Sequence, residues 1–404
     1  MSRTFVLHYA EVALKGNNRA EFVRALRRGV NRALAGTEHR LTLYEGRFFV
    51  ETEAAEAETA TRLSRVFGVS WLAPVTVVSH EYSQILAAVL ESSRTSPAGS
   101  FKVFARRSDK SFPMSSQELA AKLGAEVVKE TGRKVNLSEP DLPIHVDVVR
   151  AKALVYARKL RGPGGLPLGT AGRVMHLFSG GIDSPVAAWL MMKRGTTPVF
   201  VHFYLAPTPD SAVGSKITEL IKVLSLFGGK STLILVPFAE YQLATADVPS
   251  TMEPSLFRRF MRMTAEGLAP RFGAGAISTG DSLSQAASQT LWNIASFDEG
   301  TSLPVLRPLL TYDKDEIVAL ARRIGTYDLS LQEYKDCCAI ITRHPRTRVK
   351  GSQLSEYVER LGLRDLVWKS VERATLVTYN PSVDVLKVAE LSESLPPSGA
   401  ALAN

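Results

Sequence analysis

Cysteine is almost absent from this 404-residue chain, which has two cysteines, and the two are neighbours at positions 337 and 338. A disulfide framework needs several separated cysteines and a structural zinc site needs about four ligands, so neither can be built here. A reactive thiol pair remains possible. Thiolate is the reactive form of cysteine, and the basic stretch at 343–348 would favour it. Two buried, apolar cysteines are the alternative.

Long apolar runs are also missing. No stretch approaches the ~18 residues needed to cross a bilayer. Arg3, His8 and Glu11 occupy the N-terminal region where a secretion signal would need its apolar segment. We therefore expect a soluble, cytoplasmic protein that does not associate with membranes.

Acidic residues are too few to balance the basic ones, and the net charge is +9. Residues 1–165 contain 25 Lys and Arg against 17 Asp and Glu, whereas residues 166–404 contain 24 against 23. This asymmetry predicts that a polyanion such as RNA binds the first part. A well-solvated surface would give the same counts and remains the alternative.

The second half alternates apolar runs of strand length with segments of helical periodicity. Such a pattern predicts an α/β domain from residue 166 onward, with a doubly wound parallel sheet that binds ligands at the carboxyl ends of its strands. The predicted strands are VMHLF, PVFVHFYL, TLILVPF, AISTG and LPVLRPL. The predicted helices cover 185–194, 214–228, 254–272, 283–296 and 313–324.

The first half is patterned as two small α+β units, residues 1–60 and 61–165. The first is predicted to contain the strand TFVLHYA, a helix over 17–35, and the hairpin LTLYEGRFFVET turning at Glu45 and Gly46. The second is predicted to contain the strand FKVFARR, a helix over 115–131, and the strands IHVDVV and ALVYARKL. RGPGGLPLGTAG is typical of a linker, and the tail after about 380 of a frayed end.

Residues 179–184 read SGGIDS and join a buried strand to a helix that begins with a proline. Glycines here would allow backbone conformations in which successive N–H groups form an anion-binding nest, although a tight turn is the alternative. Asp183 or Ser184 would cap the helix, whose N-terminus adds partial positive charge. A GxxxxGK[ST] motif is absent, so this is not a Walker-type loop.

SGGIDS resembles the signature of the PP-loop ATP pyrophosphatases, which cleave ATP between its α and β phosphates. Other stretches resemble the tRNA 4-thiouridine synthetases within that family: STGDSLSQAASQTL, VLRPLLTYDKDEI, IGTYDLSLQEYKDCC and HPRT. YAEVALKGNNR resembles their N-terminal ferredoxin-like domain, and FKVFARRSDKSFPMSSQELAAKLG resembles their THUMP domain, an RNA-binding module.

This resemblance implies an enzyme that uses ATP and Mg²⁺ to adenylate O4 of uridine at position eight of tRNA. Persulfide sulfur then replaces AMP at C4. The implied partners are tRNA, a second copy of the chain, and a cysteine desulfurase as persulfide donor, since no third cysteine exists to serve a rhodanese domain. The family also implies sulfur supply for thiamine thiazole synthesis through a sulfur-carrier protein. Another RNA-adenylating PP-loop enzyme, or a non-catalytic tRNA-binding protein, remains an alternative.

The resemblance also implies roles for individual residues. Cys338 would carry the sulfur, with Cys337 as the alternative; Asp183 would position metal or phosphate; Lys314 would contact phosphates or the activated oxygen. No resident metal site is predicted. The implied nucleotide-binding residues are Leu177, Phe178, Ser179, Gly180, Gly181, Asp183, Ser184, His202, Phe203, Arg258, Gly280 and Gln289. The predicted RNA-binding residues are Arg106, Arg107, Lys110, Arg133, Lys134, Arg158, Lys159 and Arg161.

One of these residues has an alternative interpretation, and two positions depart from the family pattern. His202 on its own is more typical of a hydrogen-bonded core histidine than of a ligand. Asp281 stands where the family usually has glutamate, and Ser284 stands where it usually has glycine.

Overall fold

The computed structural model describes residues 2–97, 99–205, 208–286, 288–334 and 346–391. Cys337 and Cys338 lie outside these ranges. The chain divides into two compact units, residues 1–165 and 166–404.

The first unit is built on one sheet, of nine strands among the described residues, in the order β2-β3-β1-β4-β8-β7-β5-β6, with β9 pairing β4. Its strands are β1 Arg3–His8, β2 His39–Tyr44, β3 Arg47–Thr52, β4 Trp71–Ser79, β5 Ser100–Arg107, β6 Lys134–Val135, β7 Leu142–Val149, β8 Lys152–Tyr156 and β9 Leu160–Arg161. Its helices are α1 Arg19–Ala33, α2 Glu56–Leu63, α3 Tyr82–Thr95 and α4 Ser116–Thr131. The α+β pattern is confirmed.

The predicted hairpin is present. Tyr44 pairs with Arg47, so Glu45 and Gly46 form a two-residue turn, and both have positive φ, 49° and 72°. Two left-handed residues match the right-handed twist of the flanking strands. The helix predicted over 115–131 is confirmed as α4, which begins with a capping box between Ser115 and Glu118.

The central strand of this sheet, β4, was not predicted from the sequence. It pairs β1 on one side and β8 on the other, so it joins the two predicted α+β units into one sheet. The predicted boundary at residues 60 and 61 falls within α2, whose Ala60 and Leu63 pack with Phe5 and Val30.

The helices of the first unit cover a single face of its sheet. Phe101 and Val103 of β5 pack with Leu119 and Leu123 of α4. Side chains alternate along a strand, so Lys102 and Phe104 lie on the opposite, helix-free face.

The second unit contains the sheet order β14-β13-β10-β11-β12-β15-β16. Its strands are β10 Arg173–Leu177, β11 Thr197–Tyr204, β12 Ser231–Pro237, β13 Ala274–Ser278, β14 Val305–Leu306, β15 Thr375–Asn380 and β16 Val385–Glu390. Its helices are α5 Asp183–Lys193, α6 Asp210–Val213, α7 Lys216–Gly228, α8 Ala239–Ala244, α9 Glu253–Phe272, α10 Leu291–Asp298, α11 Lys314–Ile324, α12 Tyr327–Leu331, α13 Gly351–Arg360 and α14 Leu363–Glu372.

The five predicted strands are confirmed as β10 to β14, which pair in parallel. Met175 and Ile277 pack on the α9 side, whereas Val174 and Ala276 pack against Met191 of α5. Both faces are therefore covered, as the doubly wound prediction requires. The chain runs outward from β10 through β11 to β12 and then crosses to β13 on the other side of β10. This reversal opens a crevice beyond the ends of β10 and β13.

Two predictions for this unit were wrong. The helix predicted over 283–296 begins only at Leu291, because Ser284 has a left-handed φ of 62° and Thr290 caps the helix by accepting from the Asn293 N–H. The tail after about residue 380, which was predicted to be frayed, is structured as far as Leu391. β16 pairs antiparallel with β15, which itself pairs antiparallel with β12, so two strands extend the parallel sheet.

Within the described residues, none of the helices combines the length and apolar character needed to span a bilayer.

Candidate functional site

A cavity of about 410 Å³ opens at the crevice beyond β10 and β13. Most of the predicted nucleotide-binding residues line it: Leu177, Phe178, Ser179, Asp183, Ser184, Phe203, Arg258, Gly280 and Gln289. Gly180, Gly181 and His202 are not part of this lining.

The loop over residues 179–184 is closed by two serines. The Ser179 N–H donates to Ser184 Oγ at 2.9 Å, and that hydroxyl donates back to the Ser179 carbonyl at 2.7 Å. The prediction that Asp183 or Ser184 caps α5 is wrong, because the helix begins at Asp183 and has no side-chain cap. Ser184 shapes the loop instead. The first turn of α5 therefore presents its N–H groups without a competing side chain, which suits an anion.

The reason for the glycines also differs from the prediction. Neither Gly180 nor Gly181 has a positive φ. A Cβ at Gly180 would lie 2.6 Å from Lys216 Cε, and one at Gly181 would meet only Ser179 Oγ, at 3.5 Å. Gly181 is exposed, and because it has no side chain, the space next to its backbone stays open to solvent. The loop thus allows close approach of a ligand to its backbone.

Gly280, in the loop after β13, has a stricter requirement. A Cβ there would lie 2.9 Å from Ser184 N and 3.0 Å from its Cα. These are backbone atoms that cannot move independently. Gly280 therefore allows the loop after β13 to pack against the first turn of α5.

Lys314 reaches the loop from α11. Its Nζ lies 2.7 Å from Asp183 Oδ1 across a sequence separation of 131 residues. Both side chains retain solvent exposure, 48% for Lys314 and 29% for Asp183. A cation and a carboxylate thus meet beside the uncapped end of α5.

A buried ionic network, of which only Arg258 was predicted as a site residue, forms another wall of the cavity. Asp281 pairs with Arg258 at 2.5 Å and with Arg307 at 3.1 Å, and Arg307 binds Asp298 through two bonds of 2.8 Å. Burial acts to raise the pKa of Asp281, but the charge and hydrogen bond of Arg258, the charge of Arg307 and the hydrogen bond of Thr279 together outweigh it, so the pKa is lowered. Asp281 therefore stays ionised and fixes Arg258 in the cavity wall.

The remaining wall is mostly apolar and includes an unpartnered polar acceptor. Val201, Phe257, Met261 and Ile277 line the cavity. Gln289 Oε1 is buried and has no hydrogen-bond partner among the described residues. An orphaned buried acceptor costs about 1–3 kcal/mol, so its presence points to a ligand donor. An apolar slot with one amide acceptor fits an adenine ring with its exocyclic amino group.

The helix-free face of the first unit carries a second candidate site. Rings from five strands form a row in the order His8, Trp71, Tyr156, His145, Phe104, which we call the ring row. Register explains it: His8 pairs Trp71, and His145 pairs both Tyr156 and Phe104. Phe104 is 37% exposed, and His8, Trp71 and His145 are half-buried.

Cations flank the ring row. Lys159 Nζ lies 5.0 Å from the Trp71 ring centre, and Lys102 Nζ lies 4.6 Å from that of Phe104. Burial, and then nearby positive charge, lower the pKa of His8 to about 3 and that of His145 to about 4. Both imidazoles are therefore neutral at physiological pH.

The predicted RNA-binding residues divide into three groups. Arg106 and Lys159 lie near the ring row, and Arg161 is in β9 opposite Trp71. Lys110, Lys134 and Arg158 are exposed. Arg107 and Arg133 are committed to their own unit: Arg107 donates to the Phe112 carbonyl, and Arg133 to the carbonyls of Ser93 and Ser96.

Comparison with known proteins covers nearly the whole chain. Residues 4–73 match the ThiI ferredoxin-like domain, residues 82–158 the THUMP domain, and residues 169–363 the family described as thiamine biosynthesis protein (ThiI). The chain is 39% identical to a probable tRNA sulfurtransferase of Moorella thermoacetica, over 96% of this chain and 100% of that protein. It is 39% identical to that of Thermus thermophilus, over 92% of each.

A solved structure is also similar: a 4-thiouridine synthetase in complex with RNA and bound ATP. It is 31% identical to this chain with a TM-score of 0.81, and the match covers 96% of this chain and 100% of that one. The matches extend over nearly the full length of this chain, and the domains follow the predicted order. The chain therefore belongs to the ThiI family of tRNA sulfurtransferases.

Proposed function

We propose that this protein is an ATP-dependent tRNA sulfurtransferase that converts uridine, at position eight in the family, to 4-thiouridine. The observation that carries the proposal is the meeting of Asp183 and Lys314 beside the uncapped N-terminus of α5, at the mouth of a cavity shaped for a nucleotide. Family membership supplies the substrate class.

In the first step, uridine O4 attacks the α-phosphorus of ATP, the bond to the β-phosphate oxygen breaks, and the N3 proton is lost. Pyrophosphate leaves with its charge facing the first-turn N–H groups of α5 and Lys314. Fixed dipoles of this kind act without reorganisation during the reaction. Asp183 orients Lys314 in the absence of substrate.

Asp183 would also hold Mg²⁺. Magnesium usually takes one or two protein carboxylates together with substrate phosphates. The described residues contain no group of three acidic, histidine or cysteine side chains arranged for a metal. One carboxylate beside a phosphate site fits this mode, in which the ion would neutralise phosphate charge.

In the second step, the terminal sulfur of a cysteine persulfide attacks C4 and AMP leaves. A second thiolate then cleaves the sulfur–sulfur bond to release 4-thiouridine, and a dithiol reductant reopens the resulting disulfide. The resemblance assigns the persulfide to Cys338, with Cys337 as alternative. A separate cysteine desulfurase would load it, because the sequence has no third cysteine.

The ring row is the proposed surface for unpaired bases of tRNA. Base stacking on aromatic rings contributes about 1–3 kcal/mol per base, and the adjacent cations suit the phosphates that accompany those bases. Phe104 and Lys159 are the residues on which this assignment depends most. Arg107 and Arg133 would contribute less, since their guanidinium groups already bind backbone carbonyls.

Three partners follow from the family and complete the proposal. They are a second copy of the chain, which would form a homodimer, the cysteine desulfurase, and a sulfur-carrier protein for thiamine thiazole synthesis. We place the protein and these partners in the cytoplasm.

The proposal is tested with unmodified tRNA, ATP and a desulfurase with cysteine. We expect tRNA-dependent pyrophosphate release, together with absorbance in the thiouridine band. Cys338→Ser should release pyrophosphate without forming the band. Tight tRNA binding without any pyrophosphate release would favour the non-catalytic alternative. Adenylation of the RNA without thiolation, even by the wild type, would favour another RNA-adenylating enzyme.

A further inference from the structure

An exposed tryptophan lies on α10, close to the nucleotide cavity. Trp292 is 59% exposed, and its neighbour Leu291 is 66% exposed. The chain lines the cavity on both sides of these two residues, with Gln289 before the helix and with Phe297 and Asp298 at its end. An extended chain spans at most ~3.3–3.6 Å per residue, so the Cα atoms of Trp292 and Gln289 are within roughly 11 Å of each other.

The segment over residues 346–349 is held along α10 by three hydrogen bonds. Thr290 Oγ1 donates to the Thr347 carbonyl at 2.7 Å, and Asn293 Nδ2 donates to the Arg346 carbonyl at 2.8 Å. The Val349 N–H donates to Asn293 Oδ1 at 2.9 Å. Asn293 is 0% exposed, and both ends of its amide bind this segment. The fold therefore fixes the segment on the helix without help from a ligand.

This attachment places positive charge on the tryptophan. Arg348 Cζ lies 4.1 Å from the centre of the Trp292 ring. Arg346, Arg348 and Lys350 are all exposed, and residues 346–355 contain three basic residues and no acidic one. An exposed ring beside cations suits unpaired nucleotides, because every base has a face that can stack and every nucleotide carries a phosphate.

The proposed reaction requires such a surface near the cavity. Uridine O4 has to reach the α-phosphate of an ATP molecule bound in the cavity. Enzymes that act on a base take it out of its stack, so the base next to the reacting uridine loses a stacking partner. An aromatic side chain can replace that partner, and Trp292 is near enough to the cavity to do so.

We propose that Trp292 and Arg348 bind the tRNA nucleotide adjacent to the reacting uridine. The indole stacks on its base, and the guanidinium pairs with its phosphate. The inference rests on the proposed function and adds to it an RNA contact made by the second unit itself. Stacking tolerates any base, so this contact holds the RNA in place and does not read its sequence.

The test measures the initial rate of pyrophosphate release with unmodified tRNA and ATP, without a desulfurase. Trp292→Ala removes the ring, Trp292→Leu keeps apolar bulk without a ring, and Trp292→Tyr keeps a ring. Trp368→Ala is the matched control, since Trp368 is 50% exposed on α14 of the same unit. Arg348→Gln removes the cation, and Arg364→Gln is its control, because the Arg364 side chain is 73% exposed.

We expect kcat/KM for tRNA to fall about 5–150-fold in Trp292→Ala and in Trp292→Leu. Trp292→Tyr and Trp368→Ala should stay within about threefold of the wild type, and KM for ATP should stay within about twofold in every variant, because the cavity is unchanged. In Arg348→Gln, the slope of log(kcat/KM) against log salt concentration should become shallower by about 0.7–1. Arg364→Gln should keep the slope of the wild type.

Three results would overturn this contact. The first is a wild-type kcat/KM for tRNA in Trp292→Ala. The second is an equal loss in Trp292→Tyr, or a KM for ATP that rises with it, because the ring would then not be the cause. The third is normal pyrophosphate release with loss of 4-thiouridine once a desulfurase and cysteine are added, which would assign the surface to the desulfurase. Absence of tRNA-dependent pyrophosphate release in the wild type would instead remove the proposed function itself.

Discussion

The nucleotide cavity of the second unit and the ring row of the first unit are built in opposite ways. The cavity is bordered by residues of one contiguous loop, SGGIDS, whose backbone is the proposed anion-binding surface. The ring row takes one ring from each of five strands, between residues 8 and 156, and exists only because strand register aligns them. We therefore expect a single substitution at the loop to remove most of the activity, whereas each substitution in the ring row should remove only part of the affinity for tRNA.

The largest effect should come from the cavity. Asp183→Asn removes the charge that pairs with Lys314, and we expect tRNA-dependent pyrophosphate release to fall about 10²–10³-fold. Affinity for tRNA should stay within about twofold, because the ring row is untouched. Asp315→Asn, on the exposed first turn of α11, is the control and should retain activity. Activity within tenfold of the wild type in Asp183→Asn would contradict this account of the loop.

Acid should weaken the fold beneath the same loop. His176 bonds Ser278 Oγ and the Ser184 carbonyl, and burial lowers its pKa to about 4. In the unfolded state this histidine is protonated below about pH 6.5, whereas in the folded state it stays neutral down to about pH 4. The stability that neutral His176 contributes is therefore fully present above pH 6.5 and is lost as the pH falls toward 4.

Because of this pKa shift, the unfolding free energy should be about 2 kcal/mol lower at pH 5 than at pH 7. Hydrogen exchange of peptides from β10 and β13 measures it at the two pH values. His176→Gln should be less stable at pH 7 and should show a smaller difference between them. An unchanged pH difference in this variant would refute the assignment.

On the ring row, Phe104→Ala should weaken tRNA binding about 5–150-fold, corresponding to 1–3 kcal/mol of lost stacking. The rate of pyrophosphate release at saturating tRNA should stay within about twofold. Leu43→Ala is the matched control: Leu43 is similarly exposed, at 42%, but pairs with Phe48, whose side chain points to the helix-covered face. Equal affinity for the wild type and Phe104→Ala would place the bases elsewhere.

The smallest expected effect concerns the loop after β13. Ser284 adopts a left-handed φ of 62°, which costs a non-glycine residue about 1–2 kcal/mol. Ser284→Gly should therefore raise the unfolding free energy by about 1 kcal/mol, measured by urea titration. Ser250→Gly, at an exposed turn residue without a positive φ, should give no gain. A loss of stability in Ser284→Gly would show that the serine makes a contribution of its own.

The same contrast explains what the sequence could predict. SGGIDS follows an apolar strand, so its position at the end of β10 could be predicted from local pattern. Lys314 could be connected with Asp183 only through the family resemblance, since 131 residues separate them. The bonds among Asp281, Arg307 and Asp298, like the ring row, depend on strand order and register, which no local pattern specifies. The late start of α10 was missed because serine does not itself signal a left-handed residue; the glycine usual in the family at the position of Ser284 was the available signal.

The central claim is that the chain uses ATP to activate a uridine of tRNA and then replaces its oxygen with sulfur. The most direct measurement follows pyrophosphate and 4-thiouridine together, in one reaction of wild-type protein with unmodified tRNA, ATP and a desulfurase with cysteine. We predict equal amounts of the two products, both absent when tRNA is omitted. Formation of neither product from tRNA that the protein binds, or pyrophosphate release without any sulfur in the RNA, would contradict the account.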